Sequence, residues 1–228
     1  MKASSSMTSV SLRHRLVGVA LLTLGLSLPG LAQAHPHGWI DLRMRLMFDD
    51  EGRLEALYQS WRMDPFYSLV VLEELGQAEG EGGLEAGLDR LGVEIRDNLA
   101  PQGYFTELRL DGEVVALGEV NEYTVMERGG RVEFVFLLPL AEPLVLGGET
   151  LRYQVFDPSY YIEVVHEDDD GTPRDDALVV SGRECTTGIL PADPDPERVM
   201  EASMLDVTDE AEPGLGRYFA ETGEVTCG

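Results

Sequence analysis

The sequence predicts an α+β protein dominated by antiparallel strands in a sandwich-like arrangement, with a helical hairpin inserted between residues 64 and 99. Three observations carry this prediction. Residues 39–48 alternate, with Ile40, Leu42, Met44, Leu46 and Phe48 on one face and Asp41, Arg43 and Arg45 on the other, the period of a half-buried strand. Residues 64–99 change to helical spacing. From residue 104 onward short apolar runs recur between glycine-containing turns, which is the pattern of many short strands.

Taken in order, residues 1–34 carry Lys2, Arg13 and Arg15, then an apolar run over 16–28, then Ala32-Gln33-Ala34. That is the layout of a cleaved secretory signal, and the run is short for a membrane span. Cleavage after Ala34 is expected to leave one periplasmic domain, residues 35–228, beginning at His35. Three of the 17 basic residues and none of the 42 acidic ones precede residue 35, so the remainder carries a formal charge of −28. Such a surface repels nucleic acid and anionic lipid, and it suits solubility or adaptation to salt.

The strand at 39–48 is followed by the turn Asp49-Asp50-Glu51-Gly52 and a returning strand at 54–63, which makes a hairpin. Asp64-Pro65 reads as an N-cap with proline in the first helical position. Phe66, Leu69, Val70, Leu72 and Leu75 give the first helix its periodicity. After the Gly/Glu-rich loop at 77–83, Leu84, Leu88, Leu91 and Ile95 define the second, which Pro101-Gln102-Gly103 ends. Strands are expected at 104–110, 113–117, 119–127, 131–138, 151–156 and 160–166. The acidic tract 167–176 reads as a solvated loop. A short strand takes in Val179 and Val180, another takes in Cys185, and helices are expected at 194–205 and 214–220.

The chemistry concentrates at His35-Pro36-His37. After cleavage the new α-amine and the His35 imidazole can chelate one metal ion, and His37 offers a second imidazole. Pro36 has no backbone N–H, so the deprotonated-amide chelate of a free peptide is blocked there and the metal must be taken by amine and side chains. Nitrogen donors of this kind favour Cu(II), with Ni(II) and Zn(II) behind. Two histidines beside a cut site are also common by chance, and a metal-free reading stays open. If the strand at 160–166 lies beside the first, His166 or Asp157 could complete the shell. Equally, His166 could be a surface histidine beside an acidic loop, and Asp157 a turn residue before proline.

The Gln77 loop matches a calcium-binding EF-hand only loosely. Gln77, Glu79 and Glu81 take ligand positions and Gly82 the glycine, but Leu88 stands where the bidentate glutamate belongs, so calcium is not expected. In the acidic tract Asp168, Asp170 and Gly171 align, while His166 and Ala177 occupy the end positions. No nucleophile motif, P-loop or dinucleotide fingerprint is present. Cys185 and Cys227 are the only cysteines. In an exported protein an even pair reads as a disulfide, with a thiolate metal pair as the alternative.

Together, His35-Pro36-His37-Gly38-Trp39-Ile40-Asp41, Trp61 with Asp64 and Tyr67-Ser68, Tyr104-Phe105-Thr106, and Asp157-Pro158-Ser159-Tyr160-Tyr161 carry a resemblance. The chain resembles a family of bacterial exported proteins labelled the periplasmic component of an ABC-type transport system, which often accompany nickel/cobalt-type permeases. Many of those relatives carry a fuller aspartate-rich loop between the helices, from which Gln77 and Leu88 depart. The resemblance implies metal handling with a membrane metal transporter as partner. The expected function is a periplasmic carrier of Cu, Zn or Ni. The alternatives are a copper-dependent enzyme built on an N-terminal histidine, or a metal-free accessory protein of a permease.

Overall fold

The computed structural model describes residues 36–77, 82–205 and 211–228. The expected signal segment, His35 and the middle of the Gln77 loop lie outside these. The alternating run forms strand β1 (Gly38–Phe48), with Ile40, Leu42, Met44 and Leu46 buried. Strand β2 (Leu54–Met63) returns antiparallel, in register from Ile40 opposite Met63 to Phe48 opposite Leu54. Asp49 closes the turn by accepting from the backbone N–H groups of Glu51 and Arg53.

Helices α1 (Pro65–Gln77) and α2 (Gly83–Leu99) form the expected hairpin. The face that α1 buries differs from the expected one. Ser68 is its buried residue: the hydroxyl accepts from the Val132 N–H and donates toward the Met63 carbonyl. Val71, Leu72 and Leu75 pack on the core, while Phe66 and Leu69 are exposed. Apolar residues run most of the way round this helix, so its periodicity does not single out one face.

Past a 3-10 turn at Ala100–Phe105 come β3 (Thr106–Leu110), β4 (Glu113–Val114), β5 (Glu122–Arg128), β6 (Arg131–Leu144), β7 (Thr150–Val155) and β8 (Ile162–His166). The acidic tract contains a minimal hairpin, β9 (Asp168–Asp169) with β10 (Thr172–Pro173). Strands β11 (Leu178–Val180) and β12 (Cys185–Leu190), helix α3 (Pro196–Met204) and a 3-10 turn at Leu215–Phe219 follow. The chain's last strand is β13 (Thr222–Cys227), where the sequence pattern predicts no element. Its inward positions are Gly223, Val225 and Cys227, only one of them a large aliphatic. Gly223 is required there, because a Cβ would lie 2.2 Å from the Tyr153 ring.

One sheet has the order β11-β1-β2-β6-β5, and β8 also pairs with β1. Both β8 and β11 run parallel to β1, β8 along residues 38–42 and β11 along 44–46. The other sheet, β12-β13-β7-β3-β4, is antiparallel throughout. Their apolar faces share one core, in which Trp61, Phe134 and Phe136 of the first sheet meet Leu108, Tyr153 and Val225 of the second. Cys185 and Cys227 face each other across β12 and β13 and form the expected disulfide, with Cα atoms 4.2 Å apart and a sequence separation of 42. Closing a loop of that length restricts the unfolded chain by an amount equivalent to about 4 kcal/mol. Among the described residues no helix is long and apolar enough to cross a membrane.

Candidate functional site

The start of β1 is fixed on both sides. The His37 N–H donates to the Tyr161 carbonyl at 2.9 Å, and Gly38–Leu42 then pair with Ile162–His166. On the other edge the Asp64 N–H donates to the Trp39 carbonyl. The peptide that carries the candidate histidines therefore leaves a defined strand root. His37 is exposed, with its ring centroid 4.6 Å from that of Tyr161.

Beside this root lies a cleft of about 460 Å³ at the seam between β1, β2, α1 and α2, with His37 at its edge. Its walls include Trp39, Trp61, Phe66, Tyr67, Phe105 and Tyr161. Asp64 is its one carboxylate among the described residues. Its Oδ1 caps α1 by accepting from the N–H groups of Phe66 and Tyr67, both at 2.9 Å. Its Oδ2 faces Gly38, close enough that a Cβ at residue 38 would sit 2.8 Å away. Burial, and then the carboxylates of Asp64, Glu74 and Glu94, push the Tyr67 phenol up, so it stays neutral and able to donate.

Asp157 stands at the turn that leads into β8. Its Oδ1 accepts from the N–H and hydroxyl of Ser159, and its Oδ2 from the N–H groups of Tyr161 and Ile162 at 3.0 and 3.1 Å. The carboxylate is thus spent on holding the turn in shape. Its effect on His37 is indirect, because the Tyr161 it positions supplies both the carbonyl and the ring that His37 meets.

His166 ends β8, and that strand does lie beside β1. The register, however, puts His166 opposite Leu42, five residues beyond His37 and so roughly 16 Å along the strand. It is buried at 3% exposure between the sheets. Its Nδ1 meets Glu221 Oε2 at 2.8 Å and its Nε2 meets the Tyr153 hydroxyl at 2.7 Å. The same Glu221 oxygen accepts the His166 backbone N–H at 2.6 Å. Burial, followed by the Glu221 charge, holds the Tyr153 phenol well above its ordinary pKa, so it remains a donor. With the phenol donating to Nε2, Nδ1 carries the ring proton and gives it to Glu221. Neither nitrogen is left with an unengaged lone pair for a metal ion.

Of the four residues expected to bind metal, the structure places His37 at the cleft edge, Asp157 beneath the β8 turn and His166 in the core. His35 lies outside the described residues. Among the described residues no group of three or more His, Cys, Asp or Glu side chains converges as a metal cage. Sequence reasoning missed Asp64 as more than a helix cap, although its place after Met63 puts it level with Trp39. It also missed Tyr153 and Glu221, which are 13 and 55 residues from His166 and carry no local signal of their meeting.

Residues 20–227 match DUF1007, a family of proteins of unknown function. A protein of Haemophilus influenzae, described as uncharacterized, is 24% identical over 209 residues, which covers 90% of this chain and 97% of that relative. No solved structure matches the chain. With nearly its whole length matched from the apolar run to Cys227, the chain belongs to the DUF1007 family.

Proposed function

We propose that the protein is an exported, periplasmic carrier of a transition-metal ion, serving a membrane metal transporter. The ion is its cargo. The α-amine and imidazole of His35 and the imidazole of His37 hold it. Cu(II) is favoured by such a nitrogen-rich set, with Zn(II) and Ni(II) as the other candidates. The observation that supports this reading best is the anchored strand root. His37 stands exposed where β1 begins, its backbone tied to Tyr161 and its ring against the Tyr161 ring. A tail rooted in this way presents its donors with less conformational entropy to lose than a free peptide would.

The described residues fit part of such a site. They supply one imidazole, with no cage of three ligands around it. The other nitrogen donors must then come from His35. Asp157 and His166 are left out of the shell in this reading, because their polar atoms are committed elsewhere. The metal-free accessory reading draws support from a different observation, the exposed apolar residues Phe66 and Leu69 on α1 beside the cleft.

Mass spectrometry of the exported protein, combined with titration by Cu(II), Zn(II) and Ni(II), tests the proposal. The expected result is a mature chain starting at His35 that takes up one metal ion, with affinity lowered about a hundredfold or more in His35→Ala and in His37→Ala. Extending the mature terminus by one residue should weaken the site, since it moves the amine. A mature chain that binds none of the three ions below micromolar concentration would sink the metal reading and leave the accessory one standing.

A further inference from the structure

We infer that the cleft between β1, α1 and α2 is a binding site for an organic cation with an apolar body, whose ammonium group is received by Asp64. The cleft of about 460 Å³ falls within the roughly 300–1,000 Å³ usual for small-molecule sites. Among the described residues its lining is mostly aromatic and aliphatic, with no lysine or arginine. A ligand that fills it must therefore be largely apolar.

Asp64 sets the sign of the polar end. The residue is 8% exposed, so more than nine-tenths of it is out of water. Both hydrogen bonds its side chain accepts go to Oδ1, and Oδ2 has no hydrogen-bond partner among the described residues. Oδ2 is not one of the fully buried unpaired side-chain atoms, so it opens onto the cleft, and a charged donor is the group that bonds such a carboxylate oxygen most strongly. Gly38 keeps the space in front of this oxygen clear, since any side chain there would press on it. An anionic ligand would meet the Asp64 charge in an apolar setting, on a protein whose residues 35–228 carry −28. A neutral ligand would gain the apolar contacts and leave Oδ2 unmet. An ammonium group gains both, and the indole and phenol faces of Trp39, Tyr67 and Tyr161 in the same lining suit it further.

This site needs neither His35 nor a metal ion, so it stands or falls apart from the metal reading. The test is a titration of the purified protein, with chelator present, by three probes of one shape: 4-phenylbutylammonium, 4-phenylbutan-1-ol and 4-phenylbutyrate. Calorimetry and the fluorescence of Trp39 and Trp61 follow binding. The ammonium probe should bind about tenfold more tightly than the alcohol, equivalent to about 1.4 kcal/mol, and the carboxylate more weakly than both. Asp64→Asn keeps a side-chain oxygen for the helix cap, so the fold should persist by circular dichroism while the preference for ammonium over alcohol disappears. Ile95→Trp, which fills the cleft from α2, should weaken both probes together. Equal affinity for ammonium and alcohol, an undiminished preference in the folded Asp64→Asn variant, or no binding of the ammonium probe would each overturn the inference.

Discussion

Two histidines of this chain lie at opposite ends of the same pair of parallel strands, and they have opposite surroundings. His37 opens β1 at the surface, beside a wide apolar cleft. His166 closes β8 in the core, with one nitrogen against Glu221 and the other against Tyr153. The residue type is the same, so environment alone separates a candidate ligand from a structural tie. Burial turns the imidazole into a connector, because a buried polar atom must be satisfied by the protein itself. His166 connects strongly: it joins β8 of one sheet to Tyr153 on β7 of the other and to Glu221 just before β13. His37 stands exposed at the strand root, its backbone tied to the Tyr161 carbonyl and its ring against the Tyr161 ring, where it meets the surface.

The largest effect should come from breaking the buried end. His166→Ala removes a partner from both the Tyr153 hydroxyl and Glu221 and opens a cavity between the sheets. The expected loss is about 3–4 kcal/mol in urea unfolding, taking two unsatisfied groups at their usual cost. Metal binding by the fraction still folded should be unchanged. A loss of metal affinity without a loss of stability would reverse the roles assigned to the two histidines.

His37→Ala is the complementary break. It should lower metal affinity by about a hundredfold, close to 2.7 kcal/mol, while the urea midpoint stays where it was. Between these two lies Asp157→Ala. That variant strips the acceptor from Ser159, Tyr161 and Ile162 and should cost about 2 kcal/mol of stability. Because it loosens the strand root through Tyr161, it should also weaken metal binding, though by less than His37→Ala does. A metal effect equal to or larger than that of His37→Ala would make Asp157 a direct ligand after all.

Much of this contrast was hidden from the sequence, for physical reasons. The alternation that defines β1 and the change of period that defines the helical pair are local, and both are legible. So is the pairing of two cysteines in a chain with an export-like start. The burial of His166 is set by partners 13 and 55 residues away, which no local pattern announces. Strand β13 was illegible because Gly223 takes an inward position that would ordinarily carry a β-branched or aromatic residue. The Tyr153 ring fills that space from the neighbouring strand. The inward face of α1 turns on a serine, since the Ser68 hydroxyl closes off the Val132 N–H where a search for apolar stripes would pass over it. The Asp64 cap was legible from Asp-Pro, but the second oxygen's position against Gly38 depends on how β1 and β2 end together.

The smallest effect lies midway between the histidines, at Glu163, which pairs with Trp39 across the two strands. Burial first, and then the charge of Glu221, raise its pKa above the ordinary 4.5. The folded chain therefore keeps a proton on Glu163 that the unfolded chain has released, and stability falls as pH rises from that ordinary value through the raised one. Glu163→Gln removes this dependence. It should leave Tm unchanged in acid, where Glu163 is protonated in both states, and raise it slightly at neutral pH. Tyr160 supplies an independent readout, since burial and then the Glu163 charge push its phenol up to about 12. Spectrophotometric titration of tyrosinate should show that value drop modestly in the variant, because burial, its larger cause, remains. A variant less stable than the parent at neutral pH would mean that the Glu163 carboxylate makes a favourable contact outweighing its burial. The strand pair would then hold a third tie besides its two ends.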